Sequence, residues 1–219
     1  MSVLPARTLW VWERPEDLRA VDAAATALAP LDQTLLVGEA TERLPRRQTV
    51  VYPADAKRIA VVRIETRKGA RLGLEQARAT AAMALVSARE PGVAALQVDF
   101  DARRSERAFY AALLTELRRR MPEGMPLSMT ALASWCSSDD WIGGLPVDEA
   151  VPMFFRMEPG RDPRSRRAEF RIREPLCETS VGVSTREPWP EGIAGKRVYI
   201  FADRGWGADY ALLAERKLP

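Results

Sequence analysis

"AALQVDFDARRSERAFYAALL", residues 94–114, carries a strand, the end of that strand and the start of a helix in one run. Leu96, Val98 and Phe100 alternate with Ala95, Gln97, Asp99 and Asp101. That is the two-residue period of a strand whose faces differ in chemistry. Beyond Arg104 the period lengthens: Phe109, Leu113 and Leu117 form one stripe of a helix over 105–121, with Ser105 as its expected cap. A strand feeding a helix directly is half of a βαβ unit, in which the apolar strand face packs on helices. The opposite face then carries two carboxylates at its carboxyl end.

On either side, β-rich runs recur at 8–13, 33–39, 58–65, 126–135, 150–157, 180–187 and 197–203. Further helical patterns lie at 14–29, where Leu18, Val21, Ala25 and Leu28 follow Pro15, at 73–88 and at 207–218. Strands alternating with helices predict a parallel sheet. Eight of them predict a compact, somewhat irregular (β/α)8 TIM-like barrel, near the lower length limit of roughly 200 residues for that fold. The alternative is an open doubly wound α/β sheet. Residues 43–57 read as loop with an extra strand rather than as a helix, and the helices after the fifth to seventh strands look short. Composition does not change along the chain, so residues 1–219 are expected to form one domain.

In a barrel, alternate strand residues face the axis, and active sites gather where strands end. This directs Asp99 and Asp101 inward at the mouth, with Arg63 and Glu65 from the third strand. Ser128, Thr130 and Ser134 share one face of the fifth strand, and Arg156 falls with Pro152 and Phe154 on the sixth. Arg186 faces inward on the seventh strand, Glu187 follows it, and Asp203 and Arg204 end the eighth. Tryptophans cluster at the same ends: Trp12, Trp135, Trp189 and Trp206 as stacking surfaces for a ligand, Trp10 and Trp141 either as such surfaces or as plugs of the barrel top.

The chain has no histidine, which removes Ser-His and Cys-His nucleophile pairs and most zinc sites. Carboxylates, tryptophans and arginines without histidine fit glycoside chemistry. One carboxylic acid protonates the leaving oxygen there, while a second carboxylate acts as nucleophile or base. Asp101 is the expected acid and Asp99 its partner, with Glu65, Asp203 or Glu187 as the second carboxylate. Trp12, Trp135, Trp189, Trp206, Arg63 and Arg156 would bind substrate. The other reading is a barrel that binds a glycan or an anionic ligand without cleaving it, its acids neutralised by Arg63 and Arg156. Neither reading calls for a cofactor or metal.

Of 33 cations only four are lysine, and the net charge is +3, so the basic excess is mild. The most basic run, 161–173, lacks interleaved aromatics and reads as a solvated segment, not a nucleic-acid site. Trp206 lies in "RGWGAD" (204–209), whose helix start offers an anion site but no phosphate loop. Cys136 and Cys177 are expected at opposite barrel ends and so unbonded. No apolar run suits a signal peptide or a membrane span, so the chain as written reads as cytoplasmic. Removal of a native leader would make it periplasmic or exported instead.

"LQVDFDA" (96–102), "FYAALLTELRRRMPEGMPLSMTALASWC" (109–136), "LPVDEAVPMFFRM" (145–157) and "LWVWERPEDL" (9–18) together resemble an uncharacterised bacterial family, domain of unknown function 3142. "DFDA" is also similar to the DxDxE signature of chitinase-like glycoside hydrolases, with Asp99 and Asp101 as its aspartates. Arg103 stands where that signature has its catalytic glutamate. The resemblance implies a glycoside-hydrolase-like barrel and carries over no chitinase-type acid.

Overall fold

The computed structural model describes residues 4–155 and 171–215. Eight parallel strands form a closed barrel: β1 (Arg7–Val11), β2 (Thr26–Val37), β3 (Arg58–Thr66), β4 (Val93–Asp99), β5 (Leu127–Leu132), β6 (Glu149–Met153), β7 (Ser180–Ser184) and β8 (Arg197–Phe201). Closure rests on β1, which pairs with β8 through Trp10 and Phe201 and with β2 through Trp10 and Ala29. An open sheet would leave β1 or β8 an edge.

The (β/α) rhythm is strongest in the middle of the chain. α1 (Leu74–Ala88) follows β3 and α2 (Arg107–Arg120) follows β4. Small residues on α1, Ala77, Ala81, Ala84 and Ala88, let it lie close against the barrel. Phe109, Tyr110, Leu113, Leu114 and Leu117 of α2 fill the same outer layer with Leu96, Val98 and Phe100 of β4. Ser105 is not the cap of α2. It sits in a 3-10 turn, Arg104–Glu106, closed by the Glu106 carboxylate accepting from the Arg103 N–H at 2.7 Å.

The helix expected over 14–29 does not form. Glu16–Asp17 instead pairs with Val50–Val51, Leu18 N–H donates to Val51 O, and Asp22 closes a turn onto Ala24 N. Leu18 and Val21 still point into an apolar layer, but from a loop, covering Leu9, Val11 and Leu28 where a helix would otherwise lie. β2 begins at Thr26, well before the expected Gln33, and continues into an antiparallel hairpin with Thr41–Pro45. Its register shifts between Leu31 and Gln33. Asp32 and Gln33 both then reach Ser87 of α1, which donates to the former and accepts from the latter. The C-terminal pattern is also broken, into α4 (Trp206–Asp209) and a 3-10 turn, Tyr210–Glu215.

The lumen is packed. Ala27, Ala29, Ile59, Val61, Ala95 and Val151 leave room on the axis that the Trp10 indole fills. A Cβ on Gly182 would lie 2.9 Å from Trp10 Cη2, so the glycine makes the space for the ring. Trp10 Nε1 donates to Gln97 Oε1 at 2.6 Å, Gln97 Nε2 to Ser128 Oγ at 3.0 Å, and Ser128 to Glu149 Oε1 at 3.1 Å. Of its two readings, Trp10 is therefore the plug, anchored by a buried polar chain.

Cys136 and Cys177 form a disulfide, contrary to expectation. β5 stops at Leu132, and α3 (Ala133–Ser137) turns the chain back outside the barrel instead of extending the strand. Arg173 N–H and Glu174 N–H both reach the Cys136 carbonyl, which brings the turn at Pro175–Cys177 alongside α3. The two Cα atoms are 5.9 Å apart, well within disulfide reach.

Candidate functional site

The alternation read from β4 holds. Leu96 and Val98 face the helices, while Gln97 and Asp99 face the lumen. At the mouth Arg63 gathers three carboxylates. Its Nη1 donates to Asp99 Oδ2 at 2.6 Å and its Nε to Glu65 Oε1 at 3.1 Å. Nη2 stands 3.7 Å from Asp101 Oδ2, an ion pair too long for a hydrogen bond. Thr130 Oγ1 donates to the other Asp99 oxygen at 2.7 Å. Asp99 is thus buried and bonded on both oxygens, whereas the side chains of Asp101 and Glu65 are each about half exposed.

Electrostatics separates the aspartates. Burial, reinforced by the charge of Asp99, raises the Asp101 carboxyl above its ordinary value, and Arg63 only partly offsets this. Burial works against the charge of Arg63, but Asp99, Glu65 and Asp101 outweigh it and hold the guanidinium protonated. The Tyr110 hydroxyl, buried beneath β4, is pushed well up by burial and by both aspartates.

Aromatic rings flank this group. The Arg63 guanidinium lies 5.8 Å from the Trp12 ring centroid, within cation–π reach. Trp12 meets Phe201 edge-on at 6.3 Å, and Phe201 stacks on Phe155 at 5.4 Å. Trp12 is held in place by its neighbours: Arg46 donates to Val11 O at 3.0 Å and to Arg14 O at 2.6 Å, bracketing it.

Asp203 and Glu187 do not join Arg63. They follow β8 and β7, across the barrel from β3 and β4. Ser184 donates to Asp203, and Glu187 is half-buried past the strand end. Trp135 and Trp206 are corrections: both are buried and present no ring to a ligand. Trp135 packs edge-on against Trp141 at 4.8 Å in the outer helical layer, and Trp206 Nε1 donates to Trp10 O at 2.8 Å. Trp189 is half-buried, with Nε1 donating to Ser184 O at 2.8 Å. Arg156 and most of the basic run 161–173 lie outside the described residues. The face assigned to the sixth strand is reversed: Val151, Met153 and Phe155 pack with the lumen, while Phe154 packs outside.

Two acids escaped the sequence reading. Glu149 begins β6 in phase with Val151, is buried in the lumen floor, and accepts from Ser128 and Tyr199. Burial raises its carboxyl, against the pull of Tyr199, Arg197 and Ser128. Asp209 of α4 is buried at the β7–β8 side. It accepts from Thr185 Oγ1 at 2.7 Å, Arg204 N–H at 3.1 Å and Arg186 Nη2 at 2.7 Å. Burial alone would raise its carboxyl, but these donors together hold it below the ordinary range. The start of α4 is not open to an anion either, because Glu16 accepts from Trp206 N–H at 3.0 Å.

A closed parallel α/β barrel with a carboxylate–arginine–tryptophan group at its C-terminal mouth is the class of protein defined here. The family model described as Domain of unknown function (DUF3142) matches residues 55–164, half of the chain, and the chain belongs to that family. The match contains Arg63, Glu65, Asp99, Asp101 and Thr130, the whole charged group, while Trp12, Glu187 and Asp203 lie outside it. No curated protein and no solved structure matches the chain. Among the described residues, no helix is long and apolar enough to cross a membrane.

Proposed function

We propose that the barrel mouth binds a carbohydrate and that Asp101 supplies the proton for glycosidic cleavage. The observation that carries this reading is the division of labour around Arg63. One aspartate is buried and fully bonded, the other is half exposed with a raised carboxyl, and the arginine between them lies over the Trp12 ring. A general acid must keep its proton near working pH yet reach its substrate. Asp101 is shifted in the direction the first demand requires, and its half-exposed side chain suits the second. Glu65, half exposed and held at Nε of the same guanidinium, would supply the second carboxylate once released from Arg63. Trp12 offers a flat apolar face to a sugar ring.

A second reading, a glycan-binding barrel without hydrolysis, draws support from the ion pairs themselves. Asp99 is engaged on both oxygens and Glu65 on one, so neither is a free nucleophile in this arrangement. An anionic ligand fits this arc less well, because Arg63 already faces three carboxylates.

A panel of chromogenic glycosides and polysaccharides, assayed for release and by calorimetry with the parent protein and Asp101→Asn, separates the readings. The first expects turnover that falls at least about 100-fold in Asp101→Asn. It also expects the rate to fall as pH rises through the raised Asp101 value. Binding without turnover in the parent protein transfers the conclusion to the second reading. Neither binding nor turnover defeats both.

The buried Cys136–Cys177 disulfide supports a site of action in an oxidising compartment, periplasmic or exported, over the cytoplasm. Thiol counting by alkylation and mass spectrometry on protein recovered from its native cell should find no free thiol. Two free thiols would return it to the cytoplasm.

A further inference from the structure

We propose that Thr130 is a positioning residue of the mouth: with Arg63 it holds the Asp99 carboxylate by both oxygens and so fixes it beside Asp101. On β5, Thr130 is in phase with Ser128 and so faces the lumen beside β4. Its buried hydroxyl donates to Asp99 Oδ1 at 2.7 Å, while Arg63 Nη1 donates to Oδ2 at 2.6 Å. A carboxylate held on both oxygens by a hydroxyl and a guanidinium is fixed in orientation. Arg63 divides itself among three acids, and its contact to Asp101 is the longest at 3.7 Å. Asp101 therefore receives the least compensation and stands two residues along the chain from a fixed negative charge.

The charged and titratable groups facing this pair come from three elements: Arg63 and Glu65 from β3, Asp99 and Asp101 from β4 and its end, and Tyr110 of α2 from beneath. Thr130 of β5 supplies the hydroxyl. The charge of Asp99 raises the Asp101 carboxyl and Arg63 lowers it. Thr130 acts on Asp101 only through Asp99. The inference rests on the carbohydrate reading solely for what the Asp101 proton is used for.

The test needs no sugar, so its failure and the failure of that reading are distinct. Side-chain carboxyl 13C shifts of the aspartates are followed against pH in the parent protein, Asp99→Asn, Thr130→Val and Thr130→Ser. Asp99→Asn should move the Asp101 midpoint to lower pH, because the repelling charge is gone and Arg63 remains. Thr130→Val should move the Asp99 side-chain carboxyl signal at fixed neutral pH, because its hydrogen bond is gone, and Thr130→Ser should restore it. An Asp101 midpoint unmoved in Asp99→Asn, or an Asp99 carboxyl signal that Thr130→Val leaves in place, overturns the proposal. If Asp99→Asn does not fold, the two Thr130 variants, which are near-isosteric with the parent, decide it alone.

Discussion

Asp99 and Asp101 sit two residues apart on one chain, yet their surroundings give them opposite properties. Asp99 lies inside the last turn of the barrel wall, where Thr130 and Arg63 reach it. Asp101 lies just beyond β4, half open to solvent, and takes its raised carboxyl from partial burial and from Asp99. Asp99 was legible in the sequence because the strand period aims it at the lumen, whereas Asp101 stands past the strand end, where that period no longer applies. Asp209 was not, since nothing in "RGWGAD" announces that Thr185, Arg186 and the Arg204 amide converge there. Its depressed carboxyl has a consequence for stability. The contribution is present above the ordinary aspartate value and lost as pH falls through the folded one. Asp209→Asn should therefore lower Tm at neutral pH, with the gap to the parent closing toward acid pH. A thermal-melt series from neutral to acid pH checks this, and a gap constant over the range contradicts it.

Among the elements, β3, β4 and β5 were readable because each alternates cleanly between lumen and helix layer. The sixth strand was misread by one residue, which turns a whole strand over. "AVPMFF" is apolar at every position, so periodicity gave no phase, and Glu149 was hidden by that slip. The segment 14–29 failed for a different reason. Leu18 and Val21 do bury themselves at helical spacing, but loop contacts to the strand pair at Val50–Val51 supply the backbone bonds. The disulfide was missed because α3 reverses direction after Leu132, a bend that no spacing rule encodes. Two changes test packing at this scale. Gly182→Ala drives a methyl against the Trp10 ring and should cost about 1–3 kcal/mol in denaturant unfolding. An unchanged midpoint would mean Trp10 moves freely. Paired Cys136→Ala and Cys177→Ala substitutions open a link across 41 residues and should cost about 3 kcal/mol. A stability equal to the parent's would contradict a stapled α3.

In the whole molecule, closure of eight strands brings three strand ends, β3 to β5, into one charged arc, with Trp12 of the β1 end against it. Asp203 and Asp209 occupy the opposite arc, and the phenylalanines Phe155 and Phe201 stack with each other near Trp12. Sequence reading reached the barrel and the acids at its mouth. It could not sort tryptophans, because a ring at a strand end either lines the mouth or folds under it, and Trp135 and Trp206 fold under. The carbohydrate reading stands or falls on whether sugar meets Arg63 and Trp12 together. An 15N NMR titration with the glycan panel reads both at once, through the Arg63 Nε–Hε and Trp12 indole signals. A bound glycan should shift these two signals saturably while the buried Trp10 indole stays put. Glycan-induced shifts that leave Arg63 and Trp12 untouched, or no shift with any member of the panel, would contradict it.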